Sequence, residues 1–121
     1  MTVGELIEEL EDFVSEDNSR KHNNLYVCSS CYSDYYDGEG IENHTIDAIY
    51  PRNGEVVLQS NESDDEWSLR LNYIVHCLKF FNNDTEVVYM DCDDDNDFDF
   101  HDTEYCFIDD DDDFVIQCEE R

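Results

Sequence analysis

Apolar residues recur at Val3, Leu6, Ile7, Leu10 and Phe13, and again at Leu71, Ile74, Val75, Leu78 and Phe81. Both sets follow the i, i+3, i+4, i+7, i+10 spacing that lines one face of an α-helix. The two sets lie 68 residues apart, position for position. Each helix has a candidate start: Thr2 with Glu5 fits a capping box, and Ser68 is placed to cap the second helix.

A short apolar run follows each helix, Leu25-Tyr26-Val27-Cys28 and Glu86-Val87-Val88-Tyr89, at an offset of 61 that also pairs Cys31 with Cys92. Their β-branched and aromatic content, flanked by Asn and Asp, predicts strands. An acidic segment comes next in both. Thr45–Tyr50 then matches Thr103–Ile108, and Val56–Gln59 matches Phe114–Gln117, at an offset of 58. Turns are predicted between these last strands at Pro51–Glu55 and Asp109–Asp113. The expected fold is therefore α+β: a single domain, 1–121, built by tandem duplication of a helix-strand-strand-strand unit (1–66 and 67–121). Its two helices are expected to pack on antiparallel sheet about a pseudo-twofold axis.

Charge changes this picture from a plain domain to an unusual one. The chain has 34 Asp plus Glu against six Lys plus Arg, a formal charge of -28 in 121 residues, split as -14 in each half. The 40% hydrophobic content, with eight Tyr, seven Phe and one Trp, separates it from a disordered acidic tail. Duplex DNA carries one charge per about 1.7 Å of axis, so the total equals that of roughly 14 base pairs. Such a surface excludes direct binding to nucleic acid or an anionic membrane and calls for basic partners. The absence of a long apolar run or a signal-like N-terminus predicts a cytoplasmic protein. The six cysteines are then expected to be reduced. Self-association sets -28 against -28, so a monomer is expected unless the contact is largely apolar or cation-bridged.

The candidate chemistry is weak by comparison. Asp91–Asp102 has carboxylates at alternating positions, but an EF-hand loop requires Gly sixth and normally Glu twelfth, where this chain has Asn96 and Asp102. Cys28 and Cys31 have zinc-knuckle spacing near His22 and His44, without the second pair that a structural zinc site uses. His22, His44, His76 and His101 show no catalytic spacing, and no Gly-rich phosphate loop or nucleophile elbow is present. No enzyme activity, metal or cofactor is expected, and His76 is expected at the edge of the second helix's buried stripe.

The acidic segments carry more information. Five adjacent carboxylates, Asp109, Asp110, Asp111, Asp112 and Asp113, repel one another at a predicted hairpin tip. Asp91, Asp93, Asp94, Asp95, Asp97, Asp99 and Asp102 form a second cluster, and Asp34, Asp37 and Glu39 lie in the matching segment of the first unit. Tyr35, Tyr36, Phe98 and Phe100 interleave with them as candidate anchors, because aromatics supply contact area where carboxylates pair with Arg and Lys.

The size, the charge, the α+β reading and the opening TVGELIEELEDF (Thr2–Phe13) resemble the small acidic proteins of phages and mobile elements that inhibit host defence by imitating DNA. These include anti-CRISPR and anti-restriction proteins. The resemblance implies action in a host bacterial cell, with docking in the basic DNA-binding channel of a CRISPR effector or host nuclease. The carboxylates named above would stand in for phosphates. Halophilic adaptation, a chaperone of basic clients and a calcium-dependent module are the rival readings.

Overall fold

The computed structural model describes residues 1–29, 44–61, 68–92 and 98–120. Helix α1 (Val3–Glu16) begins with the capping box: Thr2 Oγ1 accepts from the Glu5 N–H at 3.2 Å, and the Glu5 carboxylate accepts from the Thr2 N–H. Val3, Leu6, Leu10 and Phe13 are buried along one face, as the spacing predicts. Its N-terminus is pinned to the loop ahead of the fifth strand by Val3 N–H to Thr85 O and Gly4 N–H to Asn83 O. The approach is close enough that a Cβ at Gly4 would lie 3.0 Å from Asn83 Cβ. Asp17 ends the helix and starts a 3₁₀ turn, Asn18–His22, by accepting from the Ser19 N–H and hydroxyl.

The strands are β1 (Tyr26–Ser29), β2 (His44–Thr45), β3 (Ala48–Arg52), β4 (Glu55–Asn61), β5 (Val87–Cys92), β6 (Phe98–Ile108) and β7 (Phe114–Glu120). Helix α2 (Leu71–Leu78) lies between β4 and β5. They form one seven-stranded sheet in the order β2-β1-β7-β6-β5-β4-β3. This corrects the expectation of two helices on antiparallel sheet. The sheet is mixed, with β1 parallel to β7 and β4 parallel to β5, and it dominates the molecule.

The two edge strands, β2 and β3, are consecutive in the chain and separated only by Ile46 and Asp47. The Asp47 N–H donates to Gln59 O at 2.8 Å, extending the β3–β4 ladder back to the junction. The sheet therefore curls until its edges meet. His44 of β2 stacks on Tyr89 of β5 with ring centroids 6.5 Å apart, although the sheet order puts three strands between them.

The ladders of the two halves correspond under shifts that differ from the sequence alignment. Tyr26 pairs with Val115 and Val27 with Ile116, as Val88 pairs with Val57 and Tyr89 with Leu58. Val27 pairs with His44 as Tyr89 pairs with His101. The first strands thus correspond at 62 rather than 61, and the middle strands at 57 rather than 58. A bulge between Thr103 and Tyr105 occupies the place of the Ile46-Asp47 break, where the equivalent strand changes partner.

One core joins the inner sheet face to both helices through Leu25, Val27, Val56, Leu58, Val87, Tyr89, Phe114, Ile116 and Cys118. A smaller cluster, Val57, Val88 and Met90, lies on the outer face under Tyr50 and Phe100. The second helix is shorter than predicted, and its N-cap is Arg70, with no side-chain capping bond. Ser68 instead donates its hydroxyl to Thr45 Oγ1 at 2.7 Å in a buried pair.

Candidate functional site

A strongly acidic described surface is built on α1, whose carboxylates are not among the candidates named from the sequence. Its apolar stripe faces the core, so helical geometry turns Glu5, Glu8, Glu9, Glu11, Asp12 and Glu16 outward, all exposed. The last turn itself contains no basic residue, and the cation at its C-terminal end is Arg20, whose guanidinium donates to Phe13 O at 3.1 Å and pairs with Glu16. Glu5 with Glu9, Glu8 with Asp12, and Asp12 with Glu16 are like-charge i, i+4 pairs, each destabilising by about 0.2–0.5 kcal/mol.

This face forms one wall of a groove whose other wall is β6. One part, of 380 Å³, is lined by Met1, Glu5, Glu8, Glu9, Glu104, Tyr105 and Cys106. The adjoining part, of 310 Å³, shares Glu9 and Cys106 and adds Phe107, Ile108 and Phe114 as apolar floor. Tyr105 is 54% exposed and Ile108 49%, and the Tyr105 and Phe107 rings lie 6.2 Å apart. The β6 bulge sets Glu104 beside Glu119, and the hydrogen bond between the two carboxyls holds Glu104 above the usual carboxylate range. Burial, with the charge of Glu9 next, pushes the Cys106 thiol up to about 12, so it is floor rather than nucleophile.

The Asp109–Asp113 turn carries both charge and structure. Asp109 accepts the N–H groups of Asp111 and Asp113, each at 3.0 Å, and Asp112 adopts φ 62°. This is a folding role for two of the five residues, which the sequence reading did not credit. Burial, then the charges of Asp109, Asp111 and Asp112, raise the Asp113 carboxyl above its ordinary range. One oxygen each of Asp109, Asp111 and Asp113 lie within 4.8 Å of one another, an arrangement common among exposed acidic groups.

Two of the other acidic candidates are brought together by the β5–β6 ladder, which pairs Asp91 with Asp99. Asp91 belongs to β5, Asp99 and Asp102 to β6, and Asp102 is exposed. Phe98 begins β6. Phe100 packs on the outer cluster with the Arg52 guanidinium 4.3 Å over its ring, so it already has an internal partner. Asp34, Tyr35, Tyr36, Asp37, Glu39, Asp93, Asp94, Asp95 and Asp97 lie outside the described residues.

The structure also brings together two histidines that the linear spacing kept apart. His44 and His101 occupy equivalent places and both rings contact Tyr89, His101 at 5.8 Å. His101 is buried, and its Nδ1 makes no hydrogen bond. The signal was available in the 57-residue correspondence. His76 is exposed, with its ring edge-on to Phe80 at 5.3 Å. Cys28, the first residue of the CxxC spacing, is buried and donates its thiol to Gln117 Oε1 at 2.9 Å.

Ion pairs among the described residues include Arg20 with Glu16, Lys79 with Glu11, and the N-terminal ammonium with Glu86. No described helix is long and apolar enough to cross a membrane. Comparison with protein-family models, curated proteins and solved structures gives no match.

Proposed function

We propose that this protein is a non-catalytic inhibitor that imitates DNA, of the anti-CRISPR kind, binding the basic DNA channel of a CRISPR effector and excluding its DNA. The observation that carries this reading is the outer face of α1, where Glu5, Glu8, Glu9, Asp12 and Glu16 crowd one side at a cost to the helix itself. From Glu5 to Glu16 the helix rises about 16 Å, at 1.5 Å per residue. One DNA strand places about five phosphates along that distance, at roughly 3.4 Å each. Five carboxylates on one helix face therefore supply a phosphate-like charge density, and Glu104, Glu119 and the Asp109–Asp113 turn add to it.

The apolar groove floor gives the second half of recognition. Carboxylates speed encounter with a basic channel, while Tyr105, Phe107 and Ile108 offer the contact area that holds a partner once docked. Association should therefore be fast, and weakened by salt. The bacterial host and the CRISPR target come from the resemblance and belong to this proposal. An anti-restriction inhibitor, acting on another host DNA-binding enzyme, is the same mechanism with a different target.

The test is competition with DNA for a panel of CRISPR effectors and restriction enzymes at physiological salt, with an equally acidic unrelated protein as control. Selective displacement of DNA from one enzyme, reduced at least tenfold in E8Q/E9Q/D12N/E16Q, is the expected result. Inhibition no better than the control across the panel would refute the decoy reading. Selective inhibition unchanged in the variant would move the interface away from α1.

A further inference from the structure

The negative charge is not spread evenly. Residues 18–33 and 68–83 contain no Asp or Glu, and they hold four of the six basic residues, Arg20, Lys21, Arg70 and Lys79. The structure packs the described parts of these stretches against each other: the 3₁₀ turn contacts α2, and the Leu71 N–H donates to Asn23 O at 2.9 Å. Glu11, on the adjoining helix, is paired with Lys79 at 3.3 Å, and Glu16 with Arg20 at 3.0 Å. Among the described residues, this side of the molecule carries fewer unpaired carboxylates than the outer face of α1.

That face is also aromatic. Tyr73 and His76 lie on the exposed side of α2 and Phe80 in the turn just after it, edge-on to His76, with Tyr73 53% and Phe80 78% exposed. Beside them, a groove of 390 Å³ between the helices has Leu10, Val14 and Val75 in its floor. Phe80 at this exposure contributes little to the core, and a polar residue would keep the helix as soluble.

We propose that the α2 face is the contact through which two copies of this chain form a twofold dimer. The charge distribution selects this occupant. The outer face of α1 and the Asp109–Asp113 turn would instead set carboxylates against carboxylates within a Debye length of about 8 Å. An isologous contact on α2 sets two surfaces against each other whose nearby carboxylates, Glu11 and Glu16, are already paired with Lys79 and Arg20, and it buries Tyr73 and Phe80 from both sides. It meets the condition under which a chain of charge -28 can self-associate, an apolar contact, and it leaves the α1–β6 groove of each copy for another partner.

The test is sedimentation velocity with the full chain over a concentration series, at physiological and at several-fold higher salt. The expected result is a species of twice the 14.3 kDa chain mass, tightened by salt because residual repulsion is screened. The Y73S/F80S variant should dimerise about tenfold or more weakly, the scale of losing two interface aromatics. Its far-UV circular dichroism should be unchanged, because both side chains are exposed, and E8Q/E9Q/D12N should dimerise at least as well as wild type. A monomer at every concentration would overturn the proposal, as would a dimer undiminished in Y73S/F80S. So would an association that salt weakens and that grows beyond two copies, the signature of one copy's basic residues docking on another's α1.

Discussion

Replacing Asp12 by Lys should make this protein more stable and a poorer inhibitor at the same time. Asp12 is exposed on α1, four residues from both Glu8 and Glu16. Each like-charge pair costs the helix about 0.2–0.5 kcal/mol, and each opposite-charge pair returns a similar amount. Reversing the sign at position 12 changes both pairs, a gain of about 1–2 kcal/mol. The lower end is favoured because Arg20 already pairs with Glu16 at 3.0 Å. Lys has the better helix propensity by a few tenths of a kcal/mol and places a cation nearer the helix C-terminus. For a chain of this length the gain corresponds to roughly 4–8 °C in Tm. Urea denaturation at low salt measures it, and the gain should shrink as salt screens the pairs. A variant no more stable than wild type at low salt, or a gain that salt leaves untouched, would refute the claim that α1 carries electrostatic strain. Paired with weaker displacement of DNA from the target enzyme, the stability gain would separate the use of these carboxylates in binding from any use in folding.

Two further predictions concern the acidic turn and pH. Asp109→Ala removes the acceptor for two backbone N–H groups and should cost about 1 kcal/mol, as loss of a helix N-cap does, whereas Asp110→Ala should stay within about 0.5 kcal/mol; equal effects in chemical denaturation would show that Asp109 does not organise the turn. Asp113 and Glu104 have carboxyls raised above their unfolded values, so they bind protons more tightly in the folded state. Their contribution favours folding below the unfolded carboxylate range and is lost as pH rises through the raised values. Asp17, lowered by its bonds from Ser19, acts in the opposite sense, with stability present above its unfolded value and lost on acidification. With general repulsion also easing on protonation, Tm should rise as pH falls from neutral towards the unfolded carboxylate range; a steady fall instead would contradict the raised carboxyls of Asp113 and Glu104.

The amphipathic spacing of Val3–Phe13 and Leu71–Phe81 was enough to place both helices, although the second ends at Leu78, because a 3.6-residue period is local and each stripe needs only one apolar neighbour to bury it. Thr2 and Glu5 likewise specified their own cap. The hairpins β3–β4 and β6–β7 were legible from their turns, but the parallel pairings were not, and the single strand expected over Thr45–Tyr50 is split into β2 and β3 at opposite edges of the sheet. Val56-Val57-Leu58 and Val87-Val88-Tyr89-Met90 are buried on both faces of a curled sheet, so they lack the alternation that fixes which side points inward. An alignment of such runs slips by one residue at no penalty, which is how Cys28 was matched with Tyr89 when Val27 is its counterpart. Parallel pairing of β1 with β7 and of β4 with β5 joins strands from different halves of the chain, and no local pattern encodes a contact of that range. The same holds for the candidate site. Net charge and the outward direction of α1's carboxylates follow from composition and helical period, but the groove exists only because β6 passes alongside α1. The less acidic side exists only because two acid-free stretches distant in sequence, 18–33 and 68–83, are brought together where the 3₁₀ turn packs on α2. Composition set how much charge this protein carries; tertiary packing decided where it is concentrated and where it is withheld.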